Sequence, residues 1–317
     1  MKYIKKIFSI LLLAMLLFSV TACSNKEKKQ EEEKLSIVTT LFPNYDFAKQ
    51  IAGDKAEVTL LLDPGVEAHD YDPTPADIIS INKSDLFIYT GDFMEVWASQ
   101  IIDSLDNKNL QIVDASKGIE LISTEDEEHE TSDESKEHSH EYDPHIWTSP
   151  KNAITMVNTI LEAIVLADPD NEDYYRKNAA SYVTQIQEID NEIRAVVNDA
   201  KQDTIYFGGR FAMIYFVREY GLGYMSAFDS CSSETEPSAK LVTKMVDAMK
   251  KNGASVVFYE ELTDHKSAQA IADEIGGTTL LLHSCHNVSA EDFKNGATYV
   301  SLMKQNIENL KTGLGEN

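Results

Sequence analysis

From Leu35 onward the chain alternates short apolar runs with longer amphipathic ones. LSIVTTLF, AEVTLLL, DLFIYTG and LQIVDAS have the length and β-branched content of buried strands, and NYDFAKQIAG, PADIISINKS and FMEVWASQIIDSL, placed between them, have helical spacing. The alternation resumes in the second half: TIYFGG, YMSAFDS, ASVVFYEE and TTLLLHS as strands, then RFAMIYFVREYG, SAKLVTKMVDAMKKNG, HKSAQAIADEIG and a final segment from Ala297 to Leu310 as helices. Strand-sized runs alternating with helix-sized ones predict α/β architecture with mostly parallel sheets. Ligands of such sheets sit beyond the carboxyl ends of the strands, so the residues just after each apolar run are the ones to search.

Between the two halves, Tyr175, Ala179, Tyr182, Ile186, Ile189, Ile193 and Val196 recur at spacings of four and three. They predict one helix of about 28 residues, roughly 40 Å at 1.5 Å per residue. Asp168-Pro169 supplies its entry, and Lys151 to Leu166 forms a helix before it. A single such stretch bracketed by α/β sequence reads as a spine joining two lobes rather than as a coiled coil. The expected organisation is an N-terminal lobe over residues 35–167, a spine over 168–201 and a C-terminal lobe over 202–317.

The first 34 residues belong to neither lobe. Lys2, Lys5 and Lys6 precede a 14-residue apolar run, Ile7 to Val20, that suits a signal peptide better than a membrane span. Val20-Thr21-Ala22-Cys23 resembles the lipobox of bacterial lipoproteins, which implies cleavage after residue 22 and a lipid on Cys23. Residues 23–34 then read as a flexible charged tether. Loss of the leader takes the formal charge from -25 to -28, which argues against nucleic acid and favours cations as partners. Of the remaining cysteines, Cys231 and Cys285 are expected to form a disulfide in an oxidising compartment rather than a thiolate metal site, since no CxxC spacing occurs.

One stretch interrupts the α/β pattern. Residues 124–150, TEDEEHETSDESKEHSHEYDPHIWTSP, carry ten acids and one lysine. His129, His138 and His140 lie in its acidic part (124–143), and His145 follows in DPHIW. With no apolar residue before Tyr142 it cannot bury a core, and imidazole beside carboxylate suits a borderline divalent cation such as zinc. A second candidate imidazole, His69, lies in a loop stiffened by Pro64, Pro73 and Pro75 just after a strand run.

PGVEAHDYDPTPADI resembles the PG-x-x-x-H-x-Y-x-PTP-x-D segment of the zinc- and manganese-binding lipoproteins that feed ABC uptake transporters, the cluster A-I solute-binding family. DPHIWTSP, GDFMEVW, REYGL, TEPSAK and VVFYEE resemble further motifs of that family, spread from about Leu35 to Leu314. The resemblance implies two α/β lobes on a rigid helical spine, with the metal between them and His69 and His145 as ligands. It also implies a His-rich loop in the place of residues 125–141 in zinc-type members. Two positions depart from the pattern. The family's third histidine falls at Arg210, which stays protonated and cannot ligate, and its last carboxylate falls at His283. His283 is therefore expected as the third imidazole, with His286 as fourth ligand and water or Glu260 as rivals. Arg210 is expected to pair with Glu260, with Asp229 or with an anion at the cleft.

The function expected from this sequence is extracytoplasmic capture of Zn²⁺ by a monomeric lipid-anchored binding protein that passes the ion to a membrane permease. Neutral imidazoles hold zinc, so binding weakens as pH falls through the histidine range. Mn²⁺ is the runner-up cargo and surface adhesion the runner-up role. Neither HExxH nor GxSxG occurs, so a hydrolase is not expected.

Overall fold

The computed structural model describes residues 34–69, 71–124, 141–228 and 237–315. The leader, Cys23, the tether, His129, His138, His140, Asp229 and Cys231 lie outside the described residues.

In the N-terminal lobe the strands are β1 (Leu35–Thr39), β2 (Ala56–Leu60), β3 (Leu86–Tyr89) and β4 (Gln111–Asp114). Helices α1 (Phe42–Ala52), α2 (Pro75–Lys83) and α3 (Val96–Ile102) connect them. All pairings are parallel, in the order β2-β1-β3-β4, with Ile37 opposite both Val58 and Leu86. All four residues of β3 are buried, as a parallel strand covered on both faces requires. Helix α2 starts where PTPAD places it: the Thr74 side chain accepts from Asp77 N, the Asp77 side chain answers the Thr74 amide, and Pro75 fills the first turn.

Helices α4 (Pro150–Ala167) and α5 (Glu172–Asp199) follow. Helix α5 has 28 residues, and its buried positions are the seven that the spacing selects, Tyr175 through Val196. The C-terminal lobe contains β5 (Thr204–Phe207), α6 (Ile214–Tyr220), β6 (Gly223–Ser226), α7 (Ala239–Asn252), β7 (Val256–Tyr259), α8 (Lys266–Ile275) and β8 (Thr278–Leu281). It closes with the short α9 (Ala290–Lys294), which the sequence pattern does not predict, and α10 (Tyr299–Leu314). The sheet order is β6-β5-β7-β8, again all parallel. The two lobes thus repeat one topology without a visible sequence repeat. Each sheet has its switch point between first and third strand, where a crevice opens at the carboxyl ends.

The lobes are not independent bodies on a hinge. One hydrophobic cluster takes in Ile37 and Ile88 of the first sheet, the buried face of α5, and Ile205 and Phe258 of the second. A buried carboxylate reinforces it. Asp46 on α1 accepts from the Tyr182 hydroxyl on α5 and from the Tyr299 amide, 2.8 Å away, at the start of α10. Burial pushes its pKa up even though these donors and Gln50 work in the other direction. Among the described residues no helix is long and apolar enough to cross a membrane.

Candidate metal centre

Three imidazoles converge from three loops at the carboxyl ends of strands. His69 lies beyond β2, His145 precedes the 3₁₀ turn Ile146–Thr148, and His286 lies beyond β8. One ring nitrogen from each falls within 4.8 Å of the other two. The Nε2 atoms of His69 and His145 are 3.2 Å apart, and the three ring centroids are separated by 5.1 to 5.5 Å. Zinc bound tetrahedrally at about 2.0 to 2.1 Å sets ligand nitrogens about 3.3 Å apart, so this separation is that of one coordination edge.

The histidines are held by different neighbours. Asp143 Oδ1 accepts from the His145 amide at 2.8 Å and lies 3.1 Å from its Nδ1. The proton therefore belongs on Nδ1, and the Nε2 lone pair faces the other two rings. Burial works to raise the Asp143 pKa, but His145 outweighs it and holds the carboxyl below its ordinary range. Glu67 stands in the same relation to its histidine in the chain, two residues before His69. Its Oε1 accepts from the amides of Ala68 at 3.0 Å and His69 at 3.4 Å.

His286 is buried, and its Nε2 has no hydrogen-bond partner. An orphaned buried nitrogen is costly unless something else satisfies it, and a cation on that lone pair does so. Burial, then the neighbouring His69, His145 and Arg210, push its pKa well below the usual histidine value, so it is neutral and ready to ligate. Trp147 packs against both His145 and His286, with centroids 5.5 and 5.2 Å away, and its Nε1 donates to Ser284 O at 2.8 Å. Asn287 reaches across the cleft, donating from Nδ2 to the carbonyls of Asp63 and Val66 at 2.9 Å each.

His283, expected as the third imidazole, does not join the group. Its amide donates to Asn306 Oδ1 at 2.7 Å and its carbonyl accepts from Asn306 Nδ2 at 2.8 Å, which clamps it to α10. Its ring Nδ1 accepts the Cys285 amide at 2.9 Å. The ring is thus committed inside the C-terminal lobe, and the turn through Cys285, at φ +62°, presents His286 to the cleft instead. Of the expected disulfide pair, Cys231 lies outside the described residues, and Cys285 is a buried thiol with its Sγ directed to the His283 carbonyl of its own turn. Burial raises that thiol well above its ordinary pKa, so it is inert rather than thiolate-like.

Arg210 lies in the cleft and does pair with Glu260. Its amide and Nε are 3.2 and 3.5 Å from Glu260 Oε1, and its Nη2 is 3.0 Å from Glu67 Oε2 on the opposite lobe. Glu260 rests on Gly209, where a Cβ would collide with the carboxylate. Burial pushes its pKa up. Beside the imidazoles lies an open cleft lined among others by Glu67, Arg210, Glu260 and Asn287. Sequence reasoning missed Glu67, Asp143, Trp147 and Asn287. The first two carry a signal it did not use, an acid two residues before His69 and before His145, in E-x-H and D-x-H.

With the geometry in hand, comparison with known proteins places the chain. The family model for ZnuA, "Zinc-uptake complex component A periplasmic", matches residues 37–313. The chain is similar to the high-affinity zinc uptake system protein ZnuA of Bacillus subtilis, 37% identical over 315 residues that cover 98% of both chains. It is 35% identical to the zinc-binding lipoprotein AdcA of Streptococcus pneumoniae over 97% of its own length, but spans only 60% of that longer protein. The crystal structure of the Zn(II)-bound ZnuA-like domain of that AdcA superposes with a TM-score of 0.75 at 32% identity, covering 90% of this chain and all of that one. Two parallel four-stranded lobes on a long helix, matched by family model and relatives over nearly the whole chain, make this protein a member of the ZnuA family.

Proposed function

We propose that the protein is the extracytoplasmic solute-binding component of a zinc importer, capturing Zn²⁺ on the Nε2 atoms of His69, His145 and His286 and handing it to a membrane permease. The observation that carries the reading is the convergence of three imidazoles, one with a buried unsatisfied nitrogen, in the cleft between the lobes. Three nitrogen donors favour zinc over manganese, which prefers oxygen ligands. In this reading Asp143 fixes the tautomer of His145, Glu67 holds the backbone of His69, and Trp147 forms the dry wall that keeps His286 neutral. The fourth coordination position faces the cleft, where water completes the tetrahedron. A shared core and the Asp46 link leave little freedom for the lobes to part, so exchange of the ion proceeds through the loops that carry the ligands.

Lipidation at Cys23 tethers the body to the membrane surface by a flexible segment. Residues 125–141, with His129, His138 and His140, supply weaker sites at high local concentration that raise the rate of capture without forming the tight site. The protein performs no catalysis and works as a monomer.

Calorimetric titration with zinc tests the assignment. His69→Ala and His286→Ala are expected to lose tight binding, and His283→Ala to keep it. Tight binding that survives His286→Ala but not His283→Ala would overturn the ligand set.

A further inference from the structure

A cleft meant for one divalent ion has to refuse others, and here the refusal falls to an arginine. Carboxylates are the donors that suit Mn²⁺, Mg²⁺ and Ca²⁺, whereas imidazole suits Zn²⁺. Three carboxylates, Glu67, Glu260 and Glu261, line the same cleft as His69 and His286. None of them belongs to the group of converging ligand atoms.

Their hydrogen bonds account for this. Glu261 is consumed within its own lobe by the Ser284 amide at 2.8 Å, the Ser284 hydroxyl at 2.6 Å and the His286 amide at 3.3 Å. Glu67 and Glu260 instead share one charged partner. Glu67 gives one oxygen to the amides of its own loop and the other to Arg210 Nη2 at 3.0 Å, and Glu260 Oε1 takes the Arg210 amide and lies 3.5 Å from its Nε. One guanidinium thus stands between two carboxylates from opposite lobes. Glu260 Oε2 remains buried and unpartnered, a donor oxygen held next to the site but not in it.

We infer that Arg210 is a specificity-determining residue: by engaging Glu67 and Glu260 it keeps both off the ion, so that the cleft offers a metal nitrogen only. Arginine is the side chain suited to the task. It cannot ligate, it does not lose its proton, and its fork reaches two carboxylates at once. This rests on the zinc-site reading above, which the single-histidine variants test separately.

The experiment measures zinc and manganese affinity by chelator competition in the full chain, taking the ratio of the two dissociation constants as the readout. Arg210→Gln is expected to tighten manganese roughly tenfold or more, the factor that corresponds to about 1.4 kcal/mol, and to change zinc far less. Arg210→Gln combined with Glu67→Gln and Glu260→Gln restores the wild-type ratio, because the freed carboxylates are then gone. Arg210→Lys, which retains a charge between the carboxylates, stays near wild type. An equal gain for both metals in Arg210→Gln overturns the inference, because it means only that a positive charge was removed. So does a lowered ratio that persists in the triple variant. The double variant Glu67→Gln, Glu260→Gln, with Arg210 in place, decides the question even if Arg210→Gln fails to fold. Its ratio should equal that of wild type, and selective loss of manganese binding there would mean that the carboxylates already reach the ion.

Discussion

Replacing Asp143 by alanine isolates the contribution of a residue that touches His145 but stands outside the three converging imidazoles. The main chain of the segment is held without the side chain: the Asp143 amide donates to Ile122 O at 2.9 Å, and its carbonyl accepts the Tyr215 hydroxyl at 2.8 Å. The substitution therefore removes two acceptor contacts, on the His145 amide and on Nδ1, and leaves the histidine in place. A hydrogen bond to a charged group contributes about 1.5 to 3 kcal/mol, and loss of a carboxylate behind a ligating histidine weakens metal binding about 10- to 100-fold. The two estimates agree, since about 1.4 kcal/mol corresponds to tenfold. We expect zinc affinity, measured by competition against a chromophoric chelator at neutral pH, to fall within that range. Asp143→Asn keeps one acceptor and should fall between wild type and Asp143→Ala. Affinity within threefold of wild type in the alanine variant, with circular dichroism unchanged, would refute the idea that Asp143 sets the tautomer of His145.

Other consequences follow from the same structure. Glu95 is buried under the amides of Thr90 and Gly91 and the Thr40 hydroxyl, and burial pushes its pKa from 4.5 to about 7. A folded-state pKa above the unfolded one gives a contribution to stability that is full below pH 4.5 and is lost as pH rises through 7, on the order of 3 kcal/mol. Glu95→Gln should remove that dependence, and a denaturation series in which wild type and variant keep a constant difference from pH 4 to 8 would contradict it. Ile186→Ala, at a fully buried position of the spine, should cost about 2 to 5 kcal/mol in chemical denaturation while leaving His69, His145 and His286 in place. Deleting residues 125–141 should leave the tight zinc affinity unchanged and lower the rate of capture at scarce zinc, because the bridge between Ser123 and Tyr142 closes the base of that segment without it. Stopped-flow mixing with limiting zinc checks this.

The architecture was legible because period and position reinforce one another. Spacings of four and three named every buried residue of α5, and the run PADIISINKS marked the start of α2 at Pro75. The final helix was placed two to four residues early, since Thr298 rather than Ala297 caps it. Within the site, His69 and His145 stand in loops whose prolines and flanking acids mark them in sequence. The third imidazole was displaced by three residues. Nothing in LLLHSCHN tells which histidine turns inward, because that depends on Asn306, far along the chain on α10, and on the left-handed residue between them. The same distance hides the cross-cleft contacts of Asn287, and with them the pairing of Arg210 to Glu67, which no local pattern encodes. A cysteine count likewise carries no information on burial, and Cys285 is sealed inside its turn.

The central claim is that His286, and not His283, completes the imidazole set. A crystal structure of the zinc-loaded protein, with the ion located by anomalous scattering at the zinc edge, tests it most directly. The account predicts one ion with the Nε2 atoms of His69, His145 and His286 at about 2.0 to 2.1 Å. An ion bound by His283, or one coordinated chiefly by Glu67 and Glu260, would contradict it.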